Sequence, residues 1–163
     1  MSLSGAAAAP RPPGPWIVVL AVALLARLAF VAITPRVIAL PDGRGYEGVP
    51  RSLLEHGTYG LQTLRPPGYA TPIAGVCALF GPNLLALRVV EATLGTAAVG
   101  VVSSVGASLI GPLAGLIAAG LMALHPVLAF LPSTQYSENT LALVLALALL
   151  AVLAAWRGEG LRR

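Results

Sequence analysis

Charge is scarce in this sequence. Charged residues are 10% of the 163, against about 25% in an ordinary soluble domain. Lysine is absent, so all ten basic side chains are arginines, and the chain holds one aspartate, Asp42, and one cysteine, Cys77. A single cysteine excludes an internal disulfide framework. The two histidines, His56 and His125, stand at no ligand spacing, so both are read as non-ligands and no metal site is expected. Nothing in the sequence implies a cofactor. In place of charge there are hydrophobic residues, 57% of the chain, with a mean hydropathy of +0.86. A soluble domain of this size leaves too many residues in contact with water to hide so much apolar surface. A soluble enzyme domain, a disordered tail and a nucleic-acid binder are therefore excluded, and an all-α integral membrane protein is expected.

Long apolar runs supply the framework. Residues 1–15, MSLSGAAAAPRPPGP, offer nothing to bury and are expected to form a disordered tail. Residues 16–34 form a first span, just long enough for a hydrocarbon core of about 30 Å. A signal peptide would have a shorter apolar stretch and a better cleavage site than TPRVIALPDG. Further spans are read at 84–106, 112–131 and 139–156, about four in all, with the short SLIG turn between the second and third and a basic tail at 157–163. The loop 35–65 is polar and long enough to hold structure or function. Within it Tyr46, Val49 and Leu53 lie on one helical face and Glu47, Arg51 and Glu55 on another, which predicts an interfacial helix ending at Gly57, with Pro50 either starting or kinking it. Residues 66–83 hold an apolar stretch too short to span, and a juxtamembrane helix is expected there. Gly111, Gly115 and Ala119, with Gly95, Val99 and Gly106, form small-residue ridges of the kind that let helices approach closely, although an alanine-rich sequence produces such ridges by chance as well.

Arg11, Arg157, Arg162 and Arg163 fall on one side of a four-span chain, which makes both termini cytoplasmic and the 35–65 loop external. On that outer side Asp42 is either a general base or the aspartate of an Asp-Gly turn. Glu138 either serves a site or sits at a helix start for the dipole. Arg88 and Glu91, spaced i, i+3, either pair with each other or leave Arg88 free for a lipid phosphate. Arg27 must face protein or snorkel outward. Arg65 offers a guanidinium fork suited to phosphate, and Tyr46, Tyr59, Tyr69 and Tyr136 either line a sugar cleft or form an aromatic belt.

Three stretches carry a family resemblance: Asp42 and Tyr46 followed by SLLEHGTYG, then RPPGYATPIAGVCALFGPNLLALRVVEATLG, then LMALHPVLAFLPSTQYSENTLAL. In this order they resemble the amino-terminal part of membrane glycosyltransferases that use polyprenyl-phosphate sugars, the GT-C superfamily relatives of protein O-mannosyltransferases and aminoarabinose transferases. The resemblance implies a partial GT-C-like fold, a polyprenyl-phosphate-linked sugar as partner together with membrane lipids, and transfer of the sugar to a hydroxyl at the outer face. It implies Asp42 as the catalytic base and Tyr46, Arg65, Tyr69, Arg88 and Glu138 as substrate-binding residues. Family members often carry a second acidic residue after the aspartate, where this chain has Gly43. They also have many more spans, so a truncated, inactive portion needing partner helices is expected. The alternative is a small non-enzymatic accessory protein or remnant.

Overall fold

The computed structural model describes residues 13–37, 46, 48–58 and 67–160. Residues 1–12 of the tail expected at 1–15, Asp42, Glu47, Tyr59, Arg65 and the last three residues lie outside the described residues, while Pro13, Gly14 and Pro15 of that tail already belong to the first helix. All the regular secondary structure among the described residues is helical, in the order α1 (Pro13–Ile33), α2 (Val49–His56), α3 (Pro67–Phe80), α4 (Leu84–Leu109), α5 (Pro112–Leu124), α6 (Pro126–Phe130), a 3-10 turn (Leu131–Ser133) and α7 (Glu138–Gly160).

Among the described residues, three helices are long and apolar enough to cross a membrane, over Gly14–Ile33, Leu84–Leu109 and Glu138–Gly158. The straight span expected over 112–131 is instead two helical pieces, Pro112–Leu124 and Pro126–Ser133, bent by 61°. The cause is Pro126, which has no amide hydrogen to give and clashes with the preceding turn. His125 is extended there, with ψ at 117°, and its ring nitrogen accepts from the Leu128 amide at 3.5 Å to start α6. Counted as one broken crossing, the pair brings the total to four.

Register along α4 orders the bundle. Gly100 faces Leu20, Gly95 faces Arg27, and Arg88 reaches Thr34, so α1 and α4 run antiparallel. Glu91 meets Asn139 and Thr140 near the start of α7, while Arg157 donates to the Ser108 carbonyl near its end, so α7 runs parallel to α4. Pro13 and Gly160 therefore lie at the same end of the bundle. Helix α4 runs to Leu109, past the SL of the expected SLIG turn, which leaves only Ile110 and Gly111 to reverse the chain. Gly111 takes φ +141°, a conformation open to glycine.

The tightest contact is between α4 and α5. A Cβ on Gly115 would stand 2.4 Å from the Ser103 carbonyl oxygen and 2.8 Å from the Ala107 nitrogen, so the backbones touch. Ser103 uses that approach to donate its hydroxyl to the Gly115 carbonyl at 3.1 Å. Gly106, opposite Gly115, belongs to the same seam. Elsewhere the long helices turn leucines, valines and Trp156 outward, as lipid-facing surfaces require.

Candidate functional site

Polar side chains gather at the end of the bundle where α1 finishes and α4 and α7 begin. Arg27, inside α1, is fully buried and donates to the Ala23 carbonyl at 2.9 Å. It faces protein, as one of its two expected placements requires. Gly95 makes its room: a Cβ there would stand 2.8 Å from Arg27 Nε and 2.6 Å from Asn139 Oδ1.

Arg88 and Glu91 do not pair with each other. Arg88 is 2% exposed and donates to the carbonyls of Thr34, Pro35 and Val37 at 3.3, 2.9 and 3.2 Å. A guanidinium with five donors meets the negative end of α1, where carbonyls lack helical partners. Glu91, 3% exposed, turns the other way. It accepts from Asn139 Nδ2 at 2.6 Å and from the Thr140 hydroxyl at 3.2 Å, tying α4 to α7. The i, i+3 spacing favours a local pair, but tertiary partners with fixed dipoles satisfy both charges more fully.

The short helices form the outer wall. In α2, Pro50 lies in the first turn, where its fixed φ suits a helix start, so the helix begins at Val49 rather than Tyr46. Gly57 caps it, its amide donating to the Leu53 carbonyl at 3.1 Å. The expected polar ladder is present as an Arg51–Glu55 ion pair of 2.9 Å. That contact holds the Arg51 guanidinium above its ordinary range. Tyr46 and Val49 are buried against Tyr69, Ala70, Ile73 and Leu87. The Tyr46 and Tyr69 rings meet edge to face with centroids 4.8 Å apart. The Tyr69 hydroxyl makes no hydrogen bond of good geometry, yet it lies close enough to Glu91 to feel its charge. Burial first, and then that carboxylate, push the phenol well above its ordinary value, so it stays protonated.

A cavity of about 430 Å³ opens between these parts. Its wall includes Arg36 and Val37 after α1, Tyr46, Ile73 and Cys77 of α3, Leu87 of α4, and Gln135 before α7. Such a space, mostly apolar with a few polar groups, suits a small ligand or one end of a larger one. Of the sequence-predicted site residues, Tyr46 lies in this wall. Tyr69 supports it from behind, and Arg88 holds the carbonyl of the wall residue Val37. Glu138 is exposed as the first residue of α7, and Asp42 and Arg65 are not described. Sequence reasoning did not select Arg36, Cys77 or Gln135, which come from three distant segments with no motif in common.

Residues 64–162, well over half of the chain, match the family described as dolichyl-phosphate-mannose-protein mannosyltransferase. The chain belongs to this family. No curated protein and no solved structure matches it. The family match runs from α3 to the end of α7 and takes in Arg65, Tyr69, Arg88 and Glu138, while Asp42 and Tyr46 precede it. The protein is thus a membrane-embedded relative of the polyprenyl-phosphate sugar transferases, with multi-pass character.

Proposed function

We propose that the cavity receives the head of a polyprenyl-phosphate-linked sugar, and that the chain serves transfer of that sugar to a hydroxyl acceptor. Family membership carries this reading, and the cavity beside the polar end of the bundle gives it a location. Arg36 is the one cationic side chain in the cavity wall among the described residues, and a guanidinium suits a phosphate. Tyr46 offers an aromatic surface to a sugar ring. Tyr69 and Arg88 act through their neighbours, Tyr69 by backing Tyr46 and Arg88 by holding the segment that carries Arg36 and Val37. Glu138 and Arg65 also serve substrate binding.

The proposed chemistry uses Asp42, which falls in sequence between the wall residues Val37 and Tyr46. Its carboxylate takes the acceptor hydroxyl proton as the acceptor oxygen bonds to the anomeric carbon. The bond from that carbon to the phosphate oxygen breaks, and the lipid phosphate leaves as an anion already stable in water. Both termini are placed on the cytoplasmic side and the cavity on the outer side, following the terminal arginines.

Donor binding to the chain in lipid nanodiscs tests the location. Arg36→Ala is expected to weaken binding of polyprenyl-phosphate mannose and of sugarless polyprenyl phosphate alike, by roughly tenfold at low salt and less at high salt. Unchanged affinity for both lipids would remove the phosphate from this cavity.

A further inference from the structure

Gln135 is a wall residue that no sequence motif marks. It is 2% exposed and sits in the turn between the 3-10 segment and α7. Its φ is +58°, and it is the one non-glycine residue in the left-handed region among the described residues. That region favours glycine or asparagine, so glutamine is not there for the sake of the backbone. Its Nε2 donates to the Pro132 carbonyl at 3.4 Å. This contact fixes the amide orientation, because an oxygen in that place would face another oxygen. Oε1 is then left buried with no hydrogen-bond partner. Buried acceptors are nearly always satisfied, and an exception calls for a cause. Here a strained backbone and an unsatisfied acceptor coincide at one residue of a cavity wall, a combination that belongs to binding sites.

We propose that Gln135 is a ligand-binding residue whose Oε1 accepts a hydrogen bond from a hydroxyl of the bound sugar. This rests on the donor reading above and deepens it. An acceptor needs a donor from the ligand. In a lipid-linked sugar phosphate the hydrocarbon has none, and the ionised phosphodiester offers only acceptors. Only the sugar hydroxyls can donate. Arg36, which donates and cannot accept, meets the opposite demand from the phosphate. The two wall residues together read which end of the head group is which.

Two variants and two lipids test this in nanodiscs. Gln135→Gly removes the acceptor, and the relief of the left-handed backbone offsets the loss of the Nε2 bond to the Pro132 carbonyl. Gln135→Met keeps the length of the side chain without the acceptor. Both variants are expected to bind polyprenyl-phosphate mannose roughly threefold to tenfold more weakly than the unaltered chain. Their affinity for sugarless polyprenyl phosphate should not change. Equal losses for both lipids, or no loss for the mannosyl lipid, would overturn the role of Gln135 and leave the donor reading standing. Failure of the unaltered chain to bind either lipid would overturn both.

Discussion

Asp42→Asn is expected to lower mannosyl transfer by a factor on the order of 10² to 10⁴. The assay uses membranes that contain the chain together with any partner helices it has, and compares rates at saturating donor. The asparagine keeps the size and one acceptor oxygen of the aspartate but cannot take a proton at any useful pH. On the proposed mechanism that proton leaves the acceptor hydroxyl as the new bond forms, so its loss falls on the rate of transfer. Donor binding, assigned in the proposal to Arg36, Tyr46 and Gln135, should stay within about twofold of the unaltered chain, below what one hydrogen bond contributes. Transfer that continues undiminished in the variant would remove Asp42 from the chemistry.

The second large effect concerns packing. Gly115→Ala should lower the melting temperature in detergent by several degrees, with a loss of about 1–3 kcal/mol from overpacking. The added methyl would stand 2.4 Å from the Ser103 oxygen and 2.8 Å from the Ala107 nitrogen, and these are backbone atoms of a regular helix that cannot step aside cheaply. The two helices must separate, which also strains the bond from Ser103 to the Gly115 carbonyl. Gly120→Ala is the internal comparison. It lies on the same helix with nothing within 4 Å of the added carbon. It should be neutral or gain about 0.5–1 kcal/mol from helix propensity. Similar melting temperatures for the two variants would show that the α4–α5 seam is not the close contact described.

Much of this architecture was legible because it depends on runs and spacings. The 16–34 and 139–156 runs have helical length, few charges and turn residues near their boundaries, and α1 and α7 coincide with them closely. The surface helix was visible in the ladder of Arg51 and Glu55 opposite Val49 and Leu53. Other features depend on partners far away in sequence. Arg88 and Glu91 read either as a local pair or as leaving Arg88 free for a lipid phosphate, because nothing in their own segment reveals the carbonyls after α1 or the amide of Asn139. The break at Pro126 was signalled, since a proline inside an apolar run interrupts a helix, but the apolar run around it reads as unbroken. Gln135 left no trace, because a left-handed turn residue and an unpartnered amide oxygen are properties of the fold and not of the residues beside it. The cavity is likewise a meeting of Arg36, Cys77 and Gln135 that only the packing of α1, α3 and the turn before α7 creates.

Cys77 allows that cavity to be tested without any substitution, since it is the single cysteine of the chain and lies half-buried in the wall. Burial pushes its thiol above the ordinary value near 9. The thiolate is the reactive form, so labelling by a maleimide should keep rising through pH 9 instead of levelling off there. At a fixed alkaline pH, polyprenyl-phosphate mannose at about ten times its dissociation constant should slow the labelling of Cys77 roughly tenfold, in step with the fraction of chain left unoccupied. A labelling rate that does not change as the donor lipid saturates its binding would contradict the assignment of this cavity as the donor site.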